Sequence, residues 1–171
     1  MISNSNGKKV TMTTLSQSLH FEIAGIGDMT IDWDDGSKLE QFIFSDDIII
    51  EINHLYASDK ERIIIINGDI LYLDCTCNDL TYLDVSKSTS LTDLLCCGNC
   101  LTNLDLSRNT MLTDVYCESN IFSATSLNAL FRTLPIHKTS DCCFILIRNN
   151  PGVYQCDESI AEKKGWEVYS F

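Results

Sequence analysis

Ile70-x-x-Leu73-x-Cys75-x-x-Asn78-x-Leu80 is the first of three copies of one pattern, spaced 21 residues apart. The second copy reads Leu91-x-x-Leu94-x-Cys96-x-x-Asn99-x-Leu101, and the third reads Leu112-x-x-Val115-x-Cys117-x-x-Asn120-x-Phe122. Each copy has one apolar edge that it cannot bury alone, whereas stacked copies bury a continuous core. The spacing therefore predicts three columns of stacked side chains: Leu73, Leu94 and Val115; Cys75, Cys96 and Cys117; Asn78, Asn99 and Asn120.

The nine cysteines have two possible roles. An odd count argues against a closed disulfide framework, and the 21-residue spacing favours packing of small apolar thiols in the core. The alternative is a zinc site, because Cys75-x-Cys77 and Cys96-Cys97-x-x-Cys100 supply the right donor atoms. The repeat pattern argues against zinc, since it places Cys97 on the outer side of a strand and Cys96 on the inner side. We therefore predict no metal and no cofactor.

The segments flanking the repeats have different patterns. Leu19, Phe21 and Ile23 alternate with polar residues, which is typical of a strand, and Leu127 and Leu130 belong to one apolar helical face. The sequence thus predicts a flexible leader over 1–13, an all-β unit over 14–68, the repeats over 69–121 and a C-terminal capping repeat over 122–171. The expected fold class is a short right-handed α/β solenoid with a β-sandwich-like N-terminal cap and a helix-plus-strand C-terminal cap.

Residues 14–171 resemble the leucine-rich-repeat proteins of gut Bacteroidetes. The similarity rests on the Leu-Thr-x-Leu-Asp-Val-Ser runs alternating with Cys-x-x-Asn turns. In addition, Ile31-Asp-Trp-Asp-Asp-Gly36 and His54-x-Tyr56 resemble PKD-like, immunoglobulin-type strands. The resemblance implies a surface-exposed or secreted binding protein, active in adhesion or host interaction and without enzymatic activity.

Charge and motif content narrow the possible functions. Twelve Lys and Arg stand against 24 Asp and Glu, and the net charge of −12 argues against nucleic acid and anionic lipid as partners. No run of 18 apolar residues is present, so we expect no membrane insertion. We also expect no catalytic residue, because the sequence has no phosphate-binding glycine loop and no nucleophile motif. The first ten residues lack the apolar segment of a signal peptide, which leaves both a cytoplasmic and a surface location open.

The candidate binding residues are those that point outward from the predicted repeat strands. Alternate side chains of a strand lie on opposite faces, so the inward Leu73 and Cys75 determine the outward set. Aromatic side chains beside charged ones are typical of binding faces, and we expect a protein or glycan ligand there. The alternative function is a structural spacer within a larger assembly. The predicted ligand-binding set is Tyr72, Asp74, Asp93, Leu95, Asp114, Tyr116, Glu118, Leu146 and Arg148.

Overall fold

The computed structural model describes residues 7–44, 48–137 and 143–171. In these residues ten strands form one mixed sheet that is not closed, and two short helices pack beside it. The buried apolar side chains form one continuous core rather than two separate ones. One sheet and one core make the described residues a single folded unit.

Six strands of the N-terminal part pair antiparallel. The long strands β2 and β5 pair with each other, β3 and β4 pair with β2 alone, and β1 lies between β5 and β6. Leu19, Phe21 and Ile23 of β2 are buried, whereas His20 and Glu22 point away from the core, as the alternation predicts. The strand bounds are β1 Lys9–Thr14, β2 Ser18–Asp32, β3 Glu40–Phe44, β4 Ile50–Leu55, β5 Arg62–Asp74 and β6 Leu80–Asp84.

The turn after β2 is stabilised by a cluster of rings. The ring of His54 stacks on Trp33 with centroids 4.1 Å apart, and its Nε2 lies 2.9 Å from Oδ2 of Asp35. The hydroxyl of Tyr56 donates to the backbone oxygen of Trp33, and the Arg62 guanidinium lies 5.1 Å from the centre of the Tyr56 ring. The side chains of His54, Tyr56 and Arg62 therefore each have a polar partner within the cluster, whereas Trp33 Nε1 and Arg62 Nε are buried without a hydrogen-bond partner among the described residues.

The remaining strands are short and parallel. They are β7 Asp93–Leu95, β8 Asp114–Tyr116, β9 Cys143–Leu146 and β10 Trp166–Tyr169, and they extend the sheet from the C-terminal part of β5. Leu73 pairs with Leu94, Leu94 with Val115, and Val115 with Ile145, and all four are fully buried. The pairing of the first three is the one that the 21-residue spacing predicts.

The asparagine column holds successive turns together. Nδ2 of Asn99 donates to the backbone oxygens of Cys75 and Cys96, while its Oδ1 accepts from the backbone of Asn78 and Leu80. Asn120 makes equivalent bonds one turn further on. A buried amide in this position satisfies backbone groups that three-residue strands leave unpaired.

Two helices lie among the parallel strands. The first, α1 Ala124–Thr133, begins after Ser123, whose hydroxyl accepts from the backbone N–H of Ser126 and caps the helix. The second, α2 Ser159–Glu162, precedes β10 and buries only Ala161.

The predicted fold class, an α/β solenoid with a separate β-sandwich-like cap, is wrong. The chain is mostly β, with ten strands in one open mixed sheet and only two helices. The physical reason is β5, which runs without a break across the predicted boundary between residues 68 and 69. Its first half pairs with β1 and its second half with β7, so antiparallel and parallel strands belong to the same sheet. A leucine-rich-repeat solenoid is therefore not the architecture of this chain.

The predicted flexible leader over 1–13 also needs correction. Lys9–Thr14 forms β1, which has partners on both edges, and Val10 and Met12 are buried in the core. Residues 1–6 of the predicted leader lie outside the described part of the chain. Val10 and Met12 alternate with polar residues as in a strand, but the sequence does not show which strands they pair with. The structure supplies these partners, β5 and β6.

Candidate ligand-binding face

The parallel strands present their outward side chains in three rows, which together we call the strand face. Strand register defines the first two rows, and backbone hydrogen bonds from Gly98 to Glu118 and from Ser119 to Arg148 align the third. All nine residues of the predicted set lie in these rows, and each is partly exposed. The rows are Tyr72, Asp93, Asp114, Phe144 and Glu167; Asp74, Leu95, Tyr116, Leu146 and Tyr169; Cys97, Glu118 and Arg148.

The side of the strand face nearer β5 is acidic. Oδ1 of Asp74 accepts from the backbone of Thr76 at 2.9 Å, and the hydroxyls of Thr92 and Thr113 donate to Asp93 and Asp114. These bonds orient the carboxylates at the surface of the sheet.

Desolvation and these charges raise the pKa of two tyrosines of the strand face, Tyr72 and Tyr116. Partial burial raises the pKa of Tyr72, and the charges of Asp74 and Glu22 raise it further. The pKa of Tyr116 is raised by desolvation and then by Asp114. The negative potential therefore extends from β5 to β8.

The side nearer β10 is aromatic and contains a groove of about 260 Å³. Tyr116 and Phe144 meet edge to face with centroids 5.3 Å apart, and Phe144 and Tyr169 meet in the same way at 6.1 Å. Leu146 and Arg148 complete the lining. We refer to these five residues as the aromatic groove.

Two of the groove residues, Phe144 and Tyr169, are absent from the predicted binding set, although the alternation that selects Leu146 and Arg148 also assigns Phe144 to the outer face. The sequence did contain a signal for Tyr169. Because Trp166 is buried, alternation along β10 assigns Glu167 and Tyr169 to the outer face. The register of β10 on β9, however, follows from the fold and not from the 21-residue spacing.

A second, larger hollow of about 550 Å³ lies beside the aromatic groove. Arg148 lines both depressions and is the one residue that they share. The rings of Tyr154 and Phe171 line the hollow with centroids 6.0 Å apart, and both are largely exposed. The two depressions together offer aromatic surface on either side of one arginine.

The cysteines of the repeat column are core residues on the inner side of the sheet. Cys75, Cys96 and Cys117 are fully buried, and this burial raises the pKa of each thiol. Burial also raises the pKa of the outward Cys97 to about 11; a hydrogen bond from the Glu118 backbone opposes this shift, and the Glu118 carboxylate adds to it. Since thiolates are the nucleophilic and metal-binding form, none of these four thiols is activated at neutral pH. The part of the chain that the structure describes holds no group of three His, Cys, Asp or Glu side chains arranged for a metal.

No family model, curated protein or solved structure matches this chain. The resemblance to a repeat family thus stays a prediction made from the residues. Within the described ranges, no helix combines the length and the apolar character needed to cross a membrane.

Proposed function

We propose that this chain is a non-catalytic recognition module that binds a glycan or a short protein segment on its strand face. The aromatic groove is the single observation that carries the proposal. Its three rings are partly exposed and adjoin one another on a sheet whose inner side is packed, and contiguous exposed apolar surface is typical of binding sites. Exposed aromatic surface on rigid strands can bind a ligand with little loss of side-chain freedom.

The dimensions of the strand face favour a glycan over a large globular partner. Neighbouring strands lie about 4.8 Å apart, so five of them span about 19 Å. The groove of about 260 Å³ lies just below the range of roughly 300–1,000 Å³ that drug-sized ligands occupy. One sugar ring or one side chain matches this size.

A peptide is the second candidate because β10 lies at an edge of the sheet. Among the described strands β10 pairs only with β9, so its other edge is not covered by a strand. An extended peptide can add to such an edge through backbone hydrogen bonds and place one side chain in a neighbouring groove.

Glycan and peptide arrays probed with the purified chain would test the proposal. For a ligand found there, Tyr116→Ala should weaken binding by about 2 kcal/mol, roughly 30-fold, and leave the melting temperature nearly unchanged. Tyr82→Ala is the matched control, because Tyr82 is 47% exposed on β6, away from the strand face.

Two outcomes would contradict the proposal. Absence of specific binding on both arrays would favour the spacer function instead. Loss of binding in Asp84→Ala together with full binding in Tyr116→Ala would move the site away from the strand face.

A further inference from the structure

We propose that Arg148 binds a carboxylate of the ligand, so that the preferred ligand is an acidic glycan. This inference rests on the function proposed above and specifies its ligand. It starts from the observation that Arg148 lines both the aromatic groove and the larger hollow. A sugar ring in the groove would place a substituent next to Arg148.

Arg148 has no ion-pair or hydrogen-bond partner for its side chain among the described residues, and its Nε is buried from solvent. The carboxylate next to it in the same row, that of Glu118, contacts the thiol of Cys97 at 3.7 Å, on the side away from Arg148. A buried donor without a partner is unfavourable. An incoming acceptor would therefore meet the terminal N–H groups of the guanidinium, whose charge no side chain among the described residues neutralises.

A carboxylate is the acceptor that fits an arginine best. The planar guanidinium offers parallel N–H groups that match the two oxygens of a carboxylate, and such charged pairs are stronger than neutral hydrogen bonds. Tyr116 and Phe144 on one side, and Tyr154 on the other, provide aromatic surface for the sugar rings that flank the acidic unit. The ligand that uses both depressions is an oligosaccharide containing a hexuronic acid.

The charge of the rest of the protein makes the expected preference diagnostic. A net charge of −12 repels anions in general, and Asp74, Asp93 and Asp114 lie on the β5 side of the strand face. An acidic glycan would therefore orient with its carboxylate toward Arg148. A preference for an acidic ligand therefore cannot come from the net charge of the protein. It would indicate a direct contact with Arg148.

The test uses a panel of oligosaccharides in matched pairs, each containing a hexuronic acid or its neutral methyl ester. Calorimetry with the full chain should show at least one pair whose acid binds about tenfold more tightly than its ester. Arg148→Gln should remove that preference by weakening the acid alone. Arg108→Gln removes the same charge from an exposed position in another turn and should leave the preference intact.

The remaining outcomes separate this inference from the proposed function. Equal binding of acid and ester, or preference retained in Arg148→Gln, would overturn the role of Arg148 while the glycan function stands. Binding of neither member of any pair would overturn the glycan function itself. If Arg148→Gln lowers the melting temperature, Arg148→Lys is used in its place. Lysine keeps the charge but lacks the planar guanidinium, so the preference for the acid should be reduced. An unchanged preference would contradict the proposed carboxylate contact.

Discussion

The antiparallel and parallel parts of the sheet reach the same degree of burial by different means. In the antiparallel part, β2 and β5 are 15 and 13 residues long, and backbone ladders join them to their neighbours. In the parallel part, β7 and β8 have only three residues each. There the side chains of Asn99 and Asn120 provide hydrogen bonds that longer strands would make through their backbones.

The two parts also treat their surface aromatics differently. In the antiparallel part, Arg62 lies over Tyr56 and donates to a backbone oxygen, and His54 is held between Asp35 and Trp33. In the parallel part, the rings of the aromatic groove are partly exposed, and the Arg148 side chain has no partner among the described residues. Similar residue types thus stabilise the fold where they have internal partners and form a candidate site where they lack them.

The largest expected effect concerns the core of the parallel part. Leu94 is fully buried in the middle of its column, so Leu94→Ala should lower the free energy of unfolding by about 2–5 kcal/mol. Asp93→Ala, on the outer face of the same strand, should change it by less than about 0.5 kcal/mol. Urea titration of both variants measures the difference, and equal losses would mean that the register is wrong.

A smaller effect is expected from the asparagine column. Asn99→Ala removes side-chain hydrogen bonds to five backbone groups and leaves buried ones unpaired, which should cost about 2–4 kcal/mol in a urea titration. Asn53→Ala in β4 is the matched control, because Asn53 is exposed and should cost less than about 0.5 kcal/mol. Similar costs at the two positions would contradict the idea that asparagine side chains stabilise the short parallel strands where backbone hydrogen bonds stabilise the long antiparallel ones.

The smallest effect should appear as a pH dependence of the antiparallel part. Hydrogen bonds from Ser37, with a further contribution from His54, lower the pKa of Asp35 from 3.8 to about 2. Because the folded-state pKa is the lower one, this stabilisation is complete above pH 4 and is lost as the pH falls toward 2. Urea midpoints measured between pH 5 and pH 2 should fall less steeply for Asp35→Asn than for the unchanged chain. Parallel curves would contradict the role of this carboxylate in the turn.

Several features of the fold and of the candidate site were predictable from the residues. The 21-residue spacing predicted the pairing of Leu73, Leu94 and Val115 because identical turns must stack in identical register. That spacing ends after Tyr116, and Leu146 follows 30 residues later. The strand pattern around Ile145 still assigned Leu146 to the outward set, as the structure shows, but the alignment of Tyr169 depends on the register of β10 on β9, which no period indicates.

The sequence by itself determined which side chains of each strand face the core, because alternation and a constant spacing are local properties. Only the tertiary structure decided that β1 and β5 join the antiparallel and parallel strands in one sheet, since strand pairing depends on residues far apart in the chain. It also decided that the Arg148 side chain lines two depressions and has no partner among the described residues. The direction of Glu118, which contacts Cys97 instead, depends on packing around it and not on any sequence pattern.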